Sequence, residues 1–304
     1  MKDDQRPLVR TARAVTVPER TARMDVSLTG LSVGDAFGDQ FYLHSNRHLR
    51  AGDVPPAPWE WSDDTEMACT VVSCLRADGR IDQDALAGAF ATRFDMGRRY
   101  GVGALELLER IRAGDHWRTA TRESFGGNGS FGNGAAMRVA PLGAYFAGDP
   151  SRAAAEAALQ AEVTHCHVEG IAGAVAVAVA ASLAASGAGA EDLIEAALDH
   201  ASGTYVRRGL QQARELGGHT AHEAARTLGN GSRITAQDTV PFALWVATRH
   251  LGDYPAALRA CVTAGGDMDT TAAIVGGIVA ARTGQEGIPA AWVDSREALP
   301  GWLG

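Results

Sequence analysis

Apolar residues recur along this chain at intervals of about 3.6, and the strict alternation of a half-buried strand is nearly absent. The pattern predicts a first helix that starts after Pro18, runs through Val26, Leu28, Leu31 and Val33, and closes at Gly34. A second begins at a cap formed by Ser62 and Asp64 and carries Met67, Ala68, Val71, Val72 and Leu75. Further helices are predicted over 84–94, 104–113, 152–164, 169–185, 190–200, 204–216, 241–250, 255–264 and 270–282. The intervening loops are rich in glycine, most of all residues 126–134, which read GGNGSFGNG. No repeat of solenoid period is present, and no long polar linker divides the chain. These features predict one all-α domain over residues 18–304 behind a flexible N-terminal tail over residues 1–17.

Composition narrows the class. The longest apolar run, residues 170–190, is dominated by Ala and Gly, which gain little on transfer into lipid, so it reads as a packed interior helix rather than a membrane span. With 46% hydrophobic and 21% charged residues in 304, the chain is ordinary for a soluble globular protein with a sizeable core. A net charge of -8 argues against a nucleic-acid backbone or an anionic membrane as main partner, yet leaves room for a local phosphate-binding patch. Cys69, Cys74, Cys166 and Cys261 lack paired zinc spacing and read as core thiols in a reducing cytoplasm. The segment through Arg13 is polar and lacks the apolar centre of a secretion signal, so a cytoplasmic location is expected.

Two acidic clusters carry the strongest chemistry. Ser62-Asp63-Asp64-Thr65 and Asp267-Met268-Asp269-Thr270 each precede an apolar helical run, about two hundred residues apart. Helix starts favour acids through capping and the helix dipole, and Asp63 and Glu66 have the spacing of a capping box. One cap needs one acceptor, however, and further carboxylates repel one another unless cations neutralise them. Paired carboxylates with hydroxyl neighbours form an all-oxygen set suited to Mg2+ or Mn2+. The glycine-rich loop can turn successive backbone N–H groups towards an anion, although it lacks the Walker pattern, and a plain surface turn fits equally well. Thr164-His165-Cys166-His167 suggests zinc in isolation, but no second His/Cys cluster accompanies it, and hydrogen-bonding roles are expected. Trp59, Trp61, Tyr100 and Phe131 lie near these motifs and could stack on a base or ribose, or simply pack in the core.

Five segments occur in a telling order: GLSVGDAFGDQF, WSDDTEMA, GNGSFGNGAAMRVAPLG, VTHCHVEGIAGA and AGGDMDTTAAIVGGIVAA. Together they resemble the ADP-ribosylglycohydrolase family over about residues 20–285. That family includes the dinitrogenase-reductase-activating glycohydrolase, the vertebrate hydrolases of ADP-ribosyl-arginine and ADP-ribosyl-serine, and lens crystallins. The resemblance implies a compact orthogonal multi-helix domain with a binuclear Mg2+ or Mn2+ centre at the bottom of a cleft that receives ADP-ribose. It implies metal ligands at Ser62, Asp63, Asp64, Asp267, Asp269 and Thr270. Asp63, Asp64 and Asp269 would also be the catalytic carboxylates. Gly129, Ser130, Phe131, Gly132 and Asn133 match the loop that wraps the diphosphate and distal ribose, and His165 matches a histidine lining the ADP-ribose site. Asp35, in GDAFG, would be a supporting residue near the metals.

Three departures stand out. Ser62 replaces the usual Thr, and Met268 sits within a motif that usually reads GGDTD or GGDSD. Several relatives carry a Glu four residues after the second glycine of GDxxG; that position is Tyr42 here, with no acid from Gln40 through Ser45. Either Asp39 or another acid serves instead, or the catalytic cycle differs from that of those relatives. The activity implied is metal-dependent hydrolysis of the glycosidic bond between ADP-ribose and an acceptor, reversing ADP-ribosylation. Arginine, serine, a modified nucleobase or a smaller acceptor all remain open. Two other readings fit the same residues. One is a non-catalytic ADP-ribose-binding or structural descendant, which Tyr42 favours; the other is a metal-dependent hydrolase of a free nucleotide or phosphate ester.

Overall fold

Thr16 and Glu19 form a reciprocal capping box, with Pro18 in the first turn, and start α1 (Val17–Asp39). The computed structural model describes residues 16–303, so the tail expected over residues 1–17 falls almost wholly outside the described residues. There follow α2 (Asp63–Asp78), α3 (Gln83–Arg93), α4 (Val102–Arg112), α5 (Trp117–Gly127), α6 (Gly134–Met137), α7 (Ala140–Tyr145) and α8 (Pro150–Glu162). The second half comprises α9 (Val168–Ser186), α10 (Ala190–His200), α11 (Thr204–Glu215), α12 (Ala221–Leu228), α13 (Ala236–Arg249), α14 (Tyr254–Ala264), α15 (Met268–Thr283) and α16 (Ala290–Ser295). Among the described residues there is no β-strand, only isolated bridges from Trp59 to Arg296 and from Gly132 to Thr235. The all-α expectation holds in a single compact domain.

Three helices form the centre. The C-terminal part of α1, most of α9 and the run Thr270–Ala280 of α15 are buried around nearly their whole circumference. The helix α9 is long and apolar enough to cross a membrane, yet 78% of its apolar window is buried against the rest of this domain. Small residues let α1 and α15 meet backbone to backbone. Gly30, Gly34 and Gly38 line one face of α1 at four-residue spacing. A methyl group at Gly34 would overlap the Ala272 carbonyl, and one at Gly38 the Met268 carbonyl. This contact explains why α1 continues past Gly34, the expected stop: in mid-helix Gly34 is a surface for close approach, and the helix ends only at Asp39.

An aromatic knot fixes the chain ahead of α2. Phe37 stacks on Trp292 at 4.6 Å between ring centroids, and Trp59 meets Phe37 edge-on at 5.5 Å. Trp59 N–H donates to the Ser295 carbonyl at 2.7 Å, and Trp61 Nε1 donates to the Ala298 carbonyl at 3.1 Å. Each ring pair is worth ~1 kcal/mol beyond its buried area, and together they place Ser62 at the head of α2. The helices α5, α6, α7, α12 and α16 lie outside the expected set: α6, α7, α12 and α16 are short, and α5 and α12 are amphipathic but polar. The helix α13 starts at Ala236, before Pro241, whose ring is accommodated against Gly209, where a side chain would overlap it.

Gly34→Ala should therefore lower stability by ~2 kcal/mol or more, because neither packed backbone can retreat. Gly88→Ala, on an exposed helical position with open space around it, should instead raise stability by up to ~1 kcal/mol. Urea unfolding of the two variants checks the contrast.

Candidate active site

Asp35 organises the site from α1. Its buried carboxylate accepts at Oδ2 from the N–H groups of Ser62 (2.9 Å) and Thr65 (3.1 Å) and from the Thr65 hydroxyl (2.5 Å). Oδ1 accepts from the Ser62 hydroxyl at 2.7 Å. Asp35 thus satisfies orphan N–H groups at the start of α2 from outside that helix. The Ser62 hydroxyl caps the helix by accepting from Asp64 N–H at 3.2 Å. The capping box expected between Asp63 and Glu66 does not form. Glu66 accepts instead from Asp95 N–H (2.9 Å) and from the Tyr100 hydroxyl (2.7 Å).

The second cluster converges on the first. Asp267 is the N-cap of α15 but its side chain makes no capping bond; Oδ2 accepts from Asn133 Nδ2 at 2.7 Å. The Thr270 hydroxyl donates to Asp64 Oδ2 at 3.4 Å, between residues 206 apart in the chain. One carboxylate oxygen from each of Asp35, Asp64 and Asp269 lies within 4.8 Å of the other two. Asp63, Asp64, Asp267, Asp269 and Thr270 all line one cleft of about 570 Å³, with Ser62 fully buried behind them. Neither cluster is explained by capping.

Burial and mutual repulsion dominate the electrostatics. Desolvation holds the carboxyls of Asp63 and Asp64 well above the ordinary range, and the charges of Asp35 and Asp269 push the same way. Asp267 is pushed up to about 8 by desolvation and then by Asp269, and Asp35 to about 6 by the same two causes. Asp64 Oδ1 is buried without any hydrogen-bond partner. An unpaired carboxylate oxygen among like charges is costly, and a hard cation would relieve both penalties. The oxygens of Asp35 are already spent on α2. Asp63, Asp64, Asp267 and Asp269, with the Thr270 and Ser62 hydroxyls, keep lone pairs that could hold a metal ion.

The glycine-rich loop forms the opposite wall. Phe125, Gly126, Gly127 and Gly129 all take left-handed φ values, between 52° and 87°, as the end of α5 curls into the loop. Ser130, Phe131, Gly132 and Asn133 line the cleft, while Gly129 lies outside its lining, packed so closely on Cys166 that a side chain would overlap Sγ. Asn133 ties this wall to the second cluster through Asp267. His165 lies against Gly132 and Gly134 and lines the cleft. Burial, helped by the charge of Arg138, lowers its pKa to about 3, so the ring is neutral. The Thr164 hydroxyl accepts from Arg138 Nη2 (2.9 Å) and lies 2.7 Å from His165 Nδ1. A hydroxyl donating to Nδ1 leaves the ring proton on Nε2, beside the glycine loop. His167 has a different role, accepting from Glu169 N–H at the start of α9, and Cys166 Sγ donates to the Thr121 carbonyl. Of the four aromatic candidates only Phe131 faces the cleft; Trp59, Trp61 and Tyr100 are core residues.

Sequence reading missed the loop from Gly229 to Thr235. Asn230 O accepts from Asp267 N–H at 3.0 Å, and Ile234 O accepts from Asn133 N–H at 3.3 Å. Arg233, Ile234 and Thr235 thereby complete the cleft between its acidic and glycine-rich walls. Its GNG start is the only signal, and such a signal marks any turn. Arg99, on the facing rim, was also missed.

A family model described as ADP-ribosylglycohydrolase matches residues 16–303. The chain belongs to the ADP-ribosylglycohydrolase family. It is 29% identical to ADP-ribosylhydrolase ARH3 of Xenopus tropicalis, over 91% of each protein. It is 27% identical to ADP-ribosylarginine hydrolase Tri1 of Pseudomonas putida (strain GB-1), over 93% of this chain and 77% of that protein. A solved structure, titled an ADP-ribosylglycohydrolase-related protein complex, superposes with a TM-score of 0.67 at 27% identity, covering 92% of this chain and 94% of the other.

Against the ADP-ribosylglycohydrolase pattern, Tyr42 is the departure with the clearest geometry. Its hydroxyl donates to the Gly266 carbonyl (2.8 Å), accepts from Met268 N–H (2.6 Å) and lies 3.3 Å from Asp269 Oδ1. Desolvation and the charges of Asp269 and Asp267 keep the phenol protonated. Asp39, the expected substitute acid, is one turn beyond Asp35 and pairs with Arg99 at 3.0 Å. Desolvation pushes its carboxyl up to about 7 against the pull of Arg99.

Two outcomes follow for this site. Without metal, the native carboxyls retain protons that the unfolded chain has released. Stability present near pH 4 is then lost as pH rises towards about 8, the value reached by Asp267. Melting midpoints in chelator should fall from pH 5 to pH 8 and recover on adding Mg2+ or Mn2+, and Asp64→Asn should raise the metal-free midpoint at pH 8 while removing the recovery. A metal-free midpoint that climbs over this range would contradict the account. Tyr42→Phe, which removes the hydroxyl and leaves the ring, should weaken Mn2+ binding ~10-fold, as loss of a group orienting a ligand does; calorimetric titration with Mn2+ measures it.

Proposed function

We propose that this chain hydrolyses the glycosidic bond between ADP-ribose and an acceptor, with a pair of Mg2+ or Mn2+ ions held by Ser62, Asp63, Asp64, Asp267, Asp269 and Thr270. The observation that carries the reading is the meeting of both acidic clusters and the glycine-rich loop around one cleft, with Asp64 Oδ1 buried and unpartnered. When bound, such ions grip sugar hydroxyls and acidify water.

The remaining steps belong to the chain. The backbone N–H groups of Ser130 and Phe131 hold the diphosphate and so fix the distal ribose over the acids. The neutral His165 offers Nε2–H to an oxygen of the same ligand. Phe131, about one-third exposed at 38%, gives a flat apolar face for the adenosine end. A carboxylate oxygen of Asp63, Asp64 or Asp269 takes the proton of the attacking water. Positive charge developing at C1 of the ribose is stabilised by the surrounding carboxylates. The acceptor leaves on the open side, where the chain presents Arg99 and Arg233.

Asp269→Asn and Asp63→Asn should each reduce metal-dependent release of ADP-ribose at least ~10³-fold while leaving the fold intact. The assay is release of ADP-ribose from a panel of arginine-, serine- and nucleobase-linked conjugates, with circular dichroism as the folding control. Full turnover by either variant, or by chelated enzyme, would refute the reading. A binding-only descendant has one observation in its favour, the uncharged Tyr42 where relatives carry an acid. Tight ADP-ribose binding with no release from any conjugate would establish that alternative.

A further inference from the structure

The loop from Gly229 to Thr235 has two faces. One closes the acidic cleft, with Gly231 packed on the Asp267 side chain. The other borders a separate cavity of about 290 Å³ between α11, α12 and the start of α13. Arg208, Arg226 and Arg233 line that cavity, and Asp238 is its only carboxylate. In a chain of net charge -8, three guanidiniums around one acid make a local reversal of sign.

These cations are available. Among the described residues Arg208 has no hydrogen-bond or ion-pair partner, and Arg226 meets His222 Nε2 at 3.3 Å and feels the exposed Glu223 carboxylate without a salt bridge to it. The Asp238 carboxylate is engaged within the loop, accepting from Arg233 N–H at 2.9 Å, and lies 3.8 Å from Arg233 Nε. A second, independent feature is Gln237, which also lines the cavity: its Oε1 is buried with no hydrogen-bond partner. Free guanidinium forks match phosphate oxygens, whereas an orphan amide oxygen calls for a donor such as a hydroxyl.

We propose that this cavity is a binding site for a small phosphorylated compound bearing hydroxyl groups, a sugar phosphate in chemical class. Arg208, Arg226 and Arg233 take the phosphate, and Gln237 turns its unpartnered amide oxygen towards a sugar hydroxyl. The volume suits a pentose phosphate and is too small for a dinucleotide. Arg233 also lines the acidic cleft, so the phosphate could be that of a free compound or one carried by the molecule in the cleft. The site does not depend on turnover in the cleft.

Calorimetric titration of the full chain with ribose 5-phosphate at low ionic strength tests the assignment, with ribose as the control lacking phosphate. One-to-one binding is expected for ribose 5-phosphate and none for ribose. Arg208→Gln combined with Arg226→Gln should weaken it at least tenfold. Gln237→Glu, an acid tolerated in the first turn of a helix, should weaken it similarly by repelling the phosphate. Asp269→Asn, which alters only the acidic cleft, should leave it unchanged. No binding to the wild-type chain, or undiminished binding by the double arginine variant, would overturn the site, as would loss in Asp269→Asn, which would place the phosphate in the cleft. Within a site so established, added ADP-ribose separates the sources: ribose 5-phosphate still binds if the site takes a free compound, and is displaced if the site takes a phosphate of the cleft ligand.

Discussion

The backbone contact between α1 and α15 is the constraint on which the rest of the molecule depends. Helices with ordinary side chains at their contact pack with axes 8–10 Å apart. Gly30, Gly34 and Gly38 remove the side chains from α1, and Gly276 does so from α15, where a methyl would overlap the Gly30 carbonyl. At that separation Asp35, next to Gly34, stands beside Asp269 at the start of α15. Asp35 then reaches outward and takes the N–H groups and hydroxyls that begin α2. Three helix segments are thus registered through one buried carboxylate. The hydroxyls of Tyr254, on the Gly30 carbonyl at 2.6 Å, and of Ser27, on the Gly277 carbonyl at 2.9 Å, keep the buried pair from sliding.

Such an arrangement stores electrostatic cost at its centre. Four acids face one cleft, two more lie behind them, and among the described residues none of the cleft acids has a cationic ion-pair partner. A protein whose net stability is only ~5–15 kcal/mol tolerates that cost because the surrounding helices bury a large continuous core. The nearest deeply buried cation, Arg138, is directed elsewhere, bonded to Gln160 and Thr164 and placed over the Phe90 ring. Burial, helped by this charge, keeps His165 neutral. The chain therefore separates its charges by function, with negative charge unscreened at one wall and uncharged donors at the other.

The long central helices were legible as extended apolar runs, since they are buried nearly all round, and the acidic pairs were legible because they exceed what caps require. The same reasoning placed the Ser62 cap correctly but assigned Asp63 and Glu66 to a local box, when a further acceptor for α2 comes from Asp35, far away in sequence. The amphipathic pattern of α5 and α12 was overlooked because both are polar, and α6 and α7, at four and six residues, are too short to show one. Gly34 read as a stop because glycine ends helices in isolation, whereas here a neighbouring backbone needs the room. The loop from Gly229 to Thr235 could not be recognised: its role lies in carbonyls offered to Asp267 and Asn133, and backbone groups have no letter in the sequence.

Tyr42 shows how a local change in such a site redistributes work. A carboxylate at this position would add one more negative charge to acids that already hold their protons too tightly. The phenol adds none, and its hydroxyl braces the turn before α15 by bonding Gly266 and Met268 beside Asp269. The consequence is a more rigid second cluster with fewer groups able to move a proton. Asp39 is close and carries a pKa near neutrality, but Arg99 holds it, and Arg99 itself takes a left-handed φ of 65° on the rim of the cleft. The ligand-gripping half of the site is thus braced directly by the fold, whereas any proton delivered from the α1 side must come through a pair that a side-chain movement of Arg99 would open. In the proposed hydrolase, turnover and binding would then rest on different residues, Asp39 at the end of α1 and Tyr42 three residues beyond it.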